Sequence, residues 1–563
     1  MSDLDDMKIV PMGDEALTSM DVNEAQVQVR FVRSKSAPNL PLAPETPFSV
    51  PVKLARLGLS ELLNHIIEDG STRPYEFLIN NRFLRTSLEK FLKNHGLSGE
   101  AELELEYIEA MPPPDRDTST PHPDWISSVD ACLGVTDAML PVPTEKKKKR
   151  KDKEDEVTYS KQTAVLAATG CYDHLVRVWG HTAPRPYSAE ETAVSAKGTC
   201  SLVAQGAGHL GPVTDVRVAR PWSKTSTQEN PALIVSASHD RSLRMWSFVP
   251  GAASEETTTT VPPPAKLTCK GVFDYHVGTV QCVETLFHPN RPGSLADPTL
   301  NSAEIAGGCV RFVSGGYDGA IALWINHSDF AIDPEEVAAK RELQYKGMGR
   351  KLKAQKTRAL QAAAKTELTT EEQLTHYRPI SALLGHRGAV SSLCWAHLNH
   401  IYSGSHDYTI KHWDLSSSTA VHSWSSGHVV NDIDFSEGMN LIASADQDGY
   451  VRFYDPRIGD GQITTSTKGS LKACATWVSE VRWAPSILGA PHLLATASYD
   501  GMVKFWDIRS SKPLHTMDTS SERLLTVDWV PAVAPQQGMP AQTYALVGGT
   551  GKTLDRVSWK VYV

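Results

Sequence analysis

Carboxylates are the first residues here whose type and placement could do chemistry. Glu100 ends the loop "GLSGE", and the strand-like "AELELEY" follows, alternating Glu102, Glu104 and Glu106 with Leu103, Leu105 and Tyr107. A loop-tip carboxylate is a hard oxygen ligand that Mg²⁺ can take in exchange for one of its waters. The alternating three read instead as the wet face of a half-buried strand at an edge of a small fold. A second candidate is "GGTGKT" at 548–553, which looks like a phosphate-binding loop. That chemistry needs Gly-x-x-x-x-Gly-Lys-Ser/Thr between a strand and a helix whose N-terminus faces the phosphates. The position five before Gly551 is Leu546, and "LDRVSW" follows as a strand, so a hairpin turn is predicted. The run Lys146, Lys147, Lys148, Lys149, Arg150, Lys151 is dense enough to serve nuclear import, against the plainer reading of a solvated loop. The eight Cys include no Cys-x-x-Cys pair, which argues against a zinc site or disulfide framework and fits a reducing compartment. No metal held by this chain alone, no cofactor and no catalytic residue are expected.

Bulk properties narrow the class. The chain has 563 residues, 40% hydrophobic and 21% charged, with a formal net charge of −9. That length holds one large repeat array plus a small module. The net charge argues against a protein coated in basic surface. No apolar run reaches the eighteen or so residues of a membrane helix, and "MSDLDDMKIVPMGDE" has no apolar signal core, so secretion is not expected.

The elements that position these groups come from a repeat. Small residues, an Asp and an aromatic six positions later recur. The pairs are Asp173/Trp179, Asp240/Trp246, Asp318/Trp324, Asp407/Trp413, Asp448/Tyr454 and Asp500/Trp506, and a seventh copy has Thr553 and Trp559. Each unit reads as two short strands joined by a tight turn whose Asp can accept backbone N–H groups. This unit resembles the WD repeat. The resemblance implies that each Asp also bonds a His from a preceding Gly-His pair, and that this His meets a strand Ser and the Trp. The pairs are Gly208-His209, Gly385-His386 and Gly427-His428, with a bare His276 in the third copy. His209, Asp240, Trp246, His386, Asp407, Trp413, Asp500 and Trp506 are therefore expected to be structural. The Asp-His-Ser grouping is not a nucleophile triad, because it recurs from unit to unit and its Ser lies within a strand. Seven units close into a β-propeller, which leaves few exposed edges. Its first inner strand is read from "WISSVDACLG", and the closing of the ring is left open because only "KVYV" follows Trp559.

Residues 26–109 carry a different pattern. Strands are predicted at "VQVRFV" and "FSVPVKL". A helix over "GLSELLNHIIED" puts Leu59, Leu62, Leu63, Ile66 and Ile67 on one face, with Ser60 as a candidate N-cap. A hairpin turns at Asn80-Asn81, a short helix stops at Gly96, and "AELELEY" is the last strand. This order is that of a ubiquitin-like fold. The predicted fold is mainly β: a seven-bladed WD-repeat propeller at 125–563, preceded by a small α+β ubiquitin-like domain. Residues 1–25 are expected to be disordered and 110–124 ("MPPPDRDTSTPHP" at their core) to be a linker. Basic inserts are placed at 141–157 and at 326–378, the latter between blades three and four.

"VPVKLARLGLSELLNHII", "FLINNRFLRTSL" and "LSGEAELELEY", followed by "DWISSVD" and seven blades, resemble the YTM-type WD-repeat ribosome biogenesis proteins. That family is the WD-repeat member of the PeBoW complex, with Pescadillo and a Bop-type protein. The resemblance implies a non-enzymatic factor for the large (60S) ribosomal subunit, needed for pre-rRNA processing, working in the nucleolus and nucleoplasm. It implies that the propeller holds the Bop-type partner and the pre-60S particle. It also implies that Glu100 completes the metal coordination of the MIDAS domain of midasin, an AAA ATPase that pulls the factor off the particle. A Notchless-type paralogue would share the first module but usually has eight blades. A rival from another class is a WD-repeat adaptor in ubiquitin signalling, although no Gly-Gly tail follows "ELEYIEA". The basic stretch "KRELQYKGMGRKLKAQKTRALQAAAK" within the second insert could touch pre-rRNA phosphates or tether protein partners.

Overall fold

Alternation of apolar and polar residues in "QVQVRFVR" makes a strand with Val27, Val29 and Phe31 turned inward. This is β1 (Gln26–Arg33), and the computed structural model follows it with β2 (Phe48–Pro51), α1 (Arg56–Ile67), β3 (Tyr75–Ile79), β4 (Arg82–Phe83), α2 (Leu88–His95) and β5 (Leu103–Glu109). The structure describes residues 25–34, 40–67, 73–97, 102–110, 113–141, 159–181, 200–220, 231–249, 265–286, 309–333, 336, 374–458, 469–485, 491–519, 521–530 and 542–560. The chain divides into two compact units, Met1–Met111 and Pro112–Val563.

In the first unit the sheet order is β2-β1-β5-β3-β4, with β1 and β5 parallel and the other pairs antiparallel. That mixed order, with α1 packed on the sheet, is the ubiquitin-like arrangement. The Asn80-Asn81 turn has both residues at positive φ (51° and 61°), as a two-residue hairpin turn requires. Gly96 closes α2 in the left-handed conformation, φ 62°, where a Cβ would be strained. Two expectations are corrected. Helix α1 begins at Arg56, so Ser60 is not its N-cap: it is buried in the helix, donating its hydroxyl to Arg73 O (3.3 Å) and accepting from Tyr75 N–H (2.9 Å). Strand β5 is not an edge either. It is central, because both neighbours need its backbone.

The second unit holds seven sheets among the described residues. Their innermost strands are β7 (Ile126–Pro141), then Val213–Arg220, Val280–Thr285, Val390–His397, Val430–Ser436, Val478–Trp483 and Leu524–Val530 for blades 1 to 7. Each innermost strand packs on the next, and that of blade 7 packs on β7, which closes the ring. The 110–124 segment is not merely a linker. Its β6 (Asp115–Pro121) is the fourth strand of blade 7, antiparallel to Thr553–Lys560 from the far end of the chain. Polar "DRDTSTP" reads as linker in the sequence because an outermost strand has no apolar face to show.

The inserts also differ from expectation. Strand β7 runs on to Pro141, pairing with Tyr159–Cys171, so the first insert starts one residue later than 141. The second insert lies within blade 3, between its third strand (Ala320–Ile325) and its fourth (Ser381–Leu384). Its two ends, Ala331–Ile332 and Thr375–Tyr377, join the outer edge of blade 2. There Tyr377 stacks on Phe273 (4.8 Å) and His376 lies 2.8 Å from Asp274. Residues 1–24, the run Lys146 to Lys151 and the basic middle of the second insert lie outside the described residues.

Candidate protein-binding site

The turn Asp residues do what the WD-repeat resemblance implies in three blades. In blade 2, His209 Nδ1 lies 2.9 Å from Asp240 and its Nε2 lies 2.7 Å from Ser236, which also accepts from Trp246 Nε1–H (2.8 Å). In blade 4 the distances for His386, Asp407, Ser403 and Trp413 are 2.9, 2.7 and 2.8 Å. Blade 3 repeats this with His276, Asp318, Ser314 and Trp324. Burial holds the His209 and His386 rings below the ordinary histidine range, so they are neutral at pH 7. Hydrogen bonds hold the Asp407 carboxyl down at about 2 against the opposing effect of burial.

Elsewhere a base on the third strand takes over. Asp173 pairs with Arg177 (3.1 Å), Asp448 with Arg452 (2.6 Å) and Asp500 with Lys504 (3.8 Å), each four residues on. His428 of the third Gly-His pair is exposed and reaches Asp448 only at 3.4 Å, which corrects its expected place in a blade network. Asp500 accepts from Ser498 and from Met502 N–H, and Trp506 donates to Thr496 (3.0 Å). Blade 1 has a histidine missed in the sequence, His122, whose ring lies 4.7 Å from that of Trp179. Its signal was available: it stands four residues before the innermost strand, as His209 does.

A second set of polar residues missed in the sequence lines the centre of the ring. Asp130 accepts from Val218 N–H, Asp215 from Val283, Asp432 from Val481, Glu480 from Val527 and Asp528 from Ala131, each on the next blade. At the blade 4–5 junction Ser392 donates to Asp432 (2.6 Å) and accepts from Ile433 N–H. Arg217 and Arg482 sit among these acids: Arg217 lies 3.2 Å from Asp215 and 3.3 Å from Glu284, and Arg482 lies 2.7 Å from Asp432. Burial pushes the Asp432, Glu480 and Asp528 carboxyls upward, and for Asp528 the charge of Asp130 adds to it. The signal was an acid at the third to fifth position of strands such as "VTDVRV" and "VSEVRW". These groups are stitches between blades, and among the described residues no group of three or more His, Cys, Asp or Glu is placed to hold a metal ion.

One end of the ring exposes a set of aromatic residues. Strand direction alternates within a blade, so the segment entering each innermost strand and the turn between its second and third strands share one end. At that end Trp125, Tyr275, Tyr317, Tyr408 and Trp477 are exposed. Trp125 lies 5.4 Å from Tyr172, Trp477 lies 5.3 Å from Tyr499, and Arg523 sits over the Tyr499 ring. Arg241 and Arg387 are exposed beside them. Trp, Tyr and Arg are the residue types that dominate protein–protein binding energy. The arrangement can seat a partner. "GGTGKT" is the turn joining Gln542–Gly549 to Thr553–Lys560, with no helix behind it.

In the first unit, Glu104 is exposed and Glu106 half-buried. Arg30 of β1 bridges Glu102 (3.1 Å) and Glu104. Glu100, with Ser98, Gly99 and Ala101, lies outside the described residues.

Comparison with known proteins agrees with this geometry. The NLE (NUC135) domain model matches residues 27–92, and the WD domain, G-beta repeat model matches 200–247, 377–414, 418–455 and 466–507. The chain is thus a WD-repeat protein with an N-terminal NLE domain. It is 28% identical to "Ribosome biogenesis protein WDR12 homolog" of Arabidopsis thaliana over 90% of this chain and 92% of that protein. It is 29% identical to the protein of that name in Chlamydomonas reinhardtii, over 90% and 93%. It is 27% identical to "Ribosome biogenesis protein YTM1" of Candida albicans, over 91% and 95%. These matches make the chain similar to the WDR12/YTM1 ribosome biogenesis proteins over nine-tenths of its length, which supports a role in ribosome biogenesis.

Proposed function

We propose that this protein is a non-enzymatic assembly factor for the large ribosomal subunit, needed for pre-rRNA processing in the nucleolus and nucleoplasm. Its propeller binds a Bop-type protein, joined by a Pescadillo-type protein, and the pre-60S particle. The aromatic rim, with Trp477 and Tyr408 as anchors, is the surface that suits this contact. Glu100 of the ubiquitin-like unit supplies an oxygen ligand to the MIDAS domain of a midasin-type AAA ATPase, which drives release. The observation that carries this reading is the pairing, in one chain, of an NLE unit and a propeller matched over nine-tenths of its length by ribosome biogenesis proteins.

Glu100→Ala is expected to abolish Mg²⁺-dependent binding to a purified MIDAS domain while the propeller still binds the Bop-type protein. Undiminished MIDAS binding would remove Glu100 from the reading. A second reading, an adaptor in ubiquitin signalling, is favoured by the ubiquitin-like sheet order alone. Co-purification of ligase or proteasome subunits, without pre-ribosomal RNA, would support it instead.

A further inference from the structure

In all seven blades the residue just before the third strand has a left-handed backbone. Blades 3, 5 and 6 place Gly319, Gly449 and Gly501 there, at φ 75°, 85° and 79°. Blades 1, 2, 4 and 7 place His174, Arg241, Tyr408 and Lys552, at φ 72°, 73°, 69° and 56°. A side chain on such a backbone is strained, least for histidine and more for a bulky residue. Strain of this kind persists where the side chain is used. Lys552 has a use inside the chain, an ion pair with Asp124 (3.3 Å). Arg241 and Tyr408 have none. Both are exposed, and among the described residues neither side chain makes a hydrogen bond, ion pair or ring contact.

The two mark the ends of one strip. Ser242 pairs with Asp274, which sets Arg241 beside the entry to blade 3. A Cβ on Gly278 would meet Asp318 N at 2.9 Å, one on Gly319 would meet His386 O at 2.9 Å, and one on Gly388 would meet Asp407 N at 2.9 Å. Entry 275–279, turn 316–320, entry 385–389 and turn 405–409 are therefore in contact in that order. Their exposed side chains run Arg241, Val277, Tyr317, Arg387 and Tyr408. Arg387, like Arg241, has no side-chain hydrogen bond or ion pair among the described residues. The carboxylates of these turns, Asp240, Asp318 and Asp407, face into their blades on His209, His276 and His386. Every propeller connection that leaves the described residues does so at the opposite end, apart from Ser520.

Given this end as the partner surface of the proposed function, we propose that the strip over blades 2 to 4 receives an extended acidic segment of the partner protein. Arg241 and Arg387 take its carboxylates, Tyr317 and Tyr408 take its apolar groups, and the strain at Arg241 and Tyr408 is kept for this contact. Two guanidinium groups spaced among apolar side chains suit separated carboxylates. A nucleic acid carries a phosphate at every step, and its affinity grows with the number of bases that meet them.

The test sets stability against binding. Glycine relaxes the left-handed backbone, which outweighs the looser unfolded chain it gives. Arg241→Gly and Tyr408→Gly, each in the full-length protein, are expected to keep the melting temperature or raise it by about 1–2 °C. Each is also expected to weaken binding of the purified Bop-type protein about tenfold or more. A lowered melting temperature would make these side chains structural, and unchanged binding would remove them from the contact; either overturns the proposal. Should Trp477→Ala weaken binding while the glycine variants do not, the partner surface stands and the strip falls. If none of the three weakens it, both fall. Acidity is tested with Arg241→Lys, which keeps the charge and lets a zero-length carbodiimide couple its amine to a carboxylate. The expected cross-link joins that position to an Asp or Glu of the Bop-type protein. Cross-links only within this chain, only to a second copy of it, or to nothing while the complex holds would overturn the acidic segment. So would loss of binding on ribonuclease treatment.

Discussion

At the scale of single residues, the repeat Asp positions are chemically unequal. Asp407 accepts from His386, Arg387 N–H, Thr409 N–H and the Thr409 hydroxyl. Asp500 accepts from Ser498 and Met502 N–H, with Lys504 at 3.8 Å. Asp407→Ala strands several donors, the His386 ring among them, and is expected to cost about 2–4 kcal/mol, against about 1 kcal/mol for Asp500→Ala. Urea unfolding of the two variants checks this, and equal losses would show that the His-centred network adds nothing. His122 gives a pH test. Burial and Arg177 hold its ring at about 4, with Asp173 opposing. Between pH 4 and 6.5 the unfolded chain then binds the proton and the folded chain does not, so stability falls as the pH falls. From pH 7 to 5 this one ring costs about 2 kcal/mol. His122→Asn should lose correspondingly less over that interval in pH-dependent melting. An unchanged slope would mean the ring is not buried as a neutral base.

At the scale of elements, ring closure by β6 is the finding that most changes how the chain is parsed. A four-stranded blade 7 needs residues 115–121 from one end of the propeller and 524–560 from the other. Chain 112–563 is expected to unfold as one cooperative unit, whereas 122–563 should lose that cooperativity and melt several degrees lower or aggregate. Identical calorimetric traces would show that the fourth strand is dispensable. Sequence alone reached the repeat strands because Asp-to-Trp spacing marks them, and reached the NLE helices through spacings such as Leu59, Leu63 and Ile67. It missed β6 because "DRDTSTP" buries no stripe of its own, and it read β5 as an edge because alternation does not report strand order. The insert ends 331–332 and 375–377 were invisible for a related reason: their pairing with blade 2 is long-range and main-chain.

At the scale of the whole molecule, the ring is held from the inside by carboxylates that cross every junction they reach. Glu480 accepts from Val527 N–H and faces Arg482 and Arg217. Glu480→Ala leaves two buried guanidinium groups short of a partner and is expected to destabilise the propeller by about 3–5 kcal/mol. Glu480→Gln should cost less, which chemical denaturation would reveal. These inner acids recur at the third to fifth position of the innermost strands, a mark that gains its meaning only once the blades lie side by side. The rim escaped the sequence because exposure is a property of the assembled ring. The functional account joins such a rigid ring to an NLE unit, with one holding the assembly partners and the other offered to the remodelling ATPase. Its most direct test is purification of the tagged full-length protein from nuclear extract, followed by identification of the bound RNA and protein. The account predicts large-subunit pre-rRNA together with a Bop-type and a Pescadillo-type protein. Recovery of the protein free of pre-ribosomal RNA, with neither partner present, would contradict it.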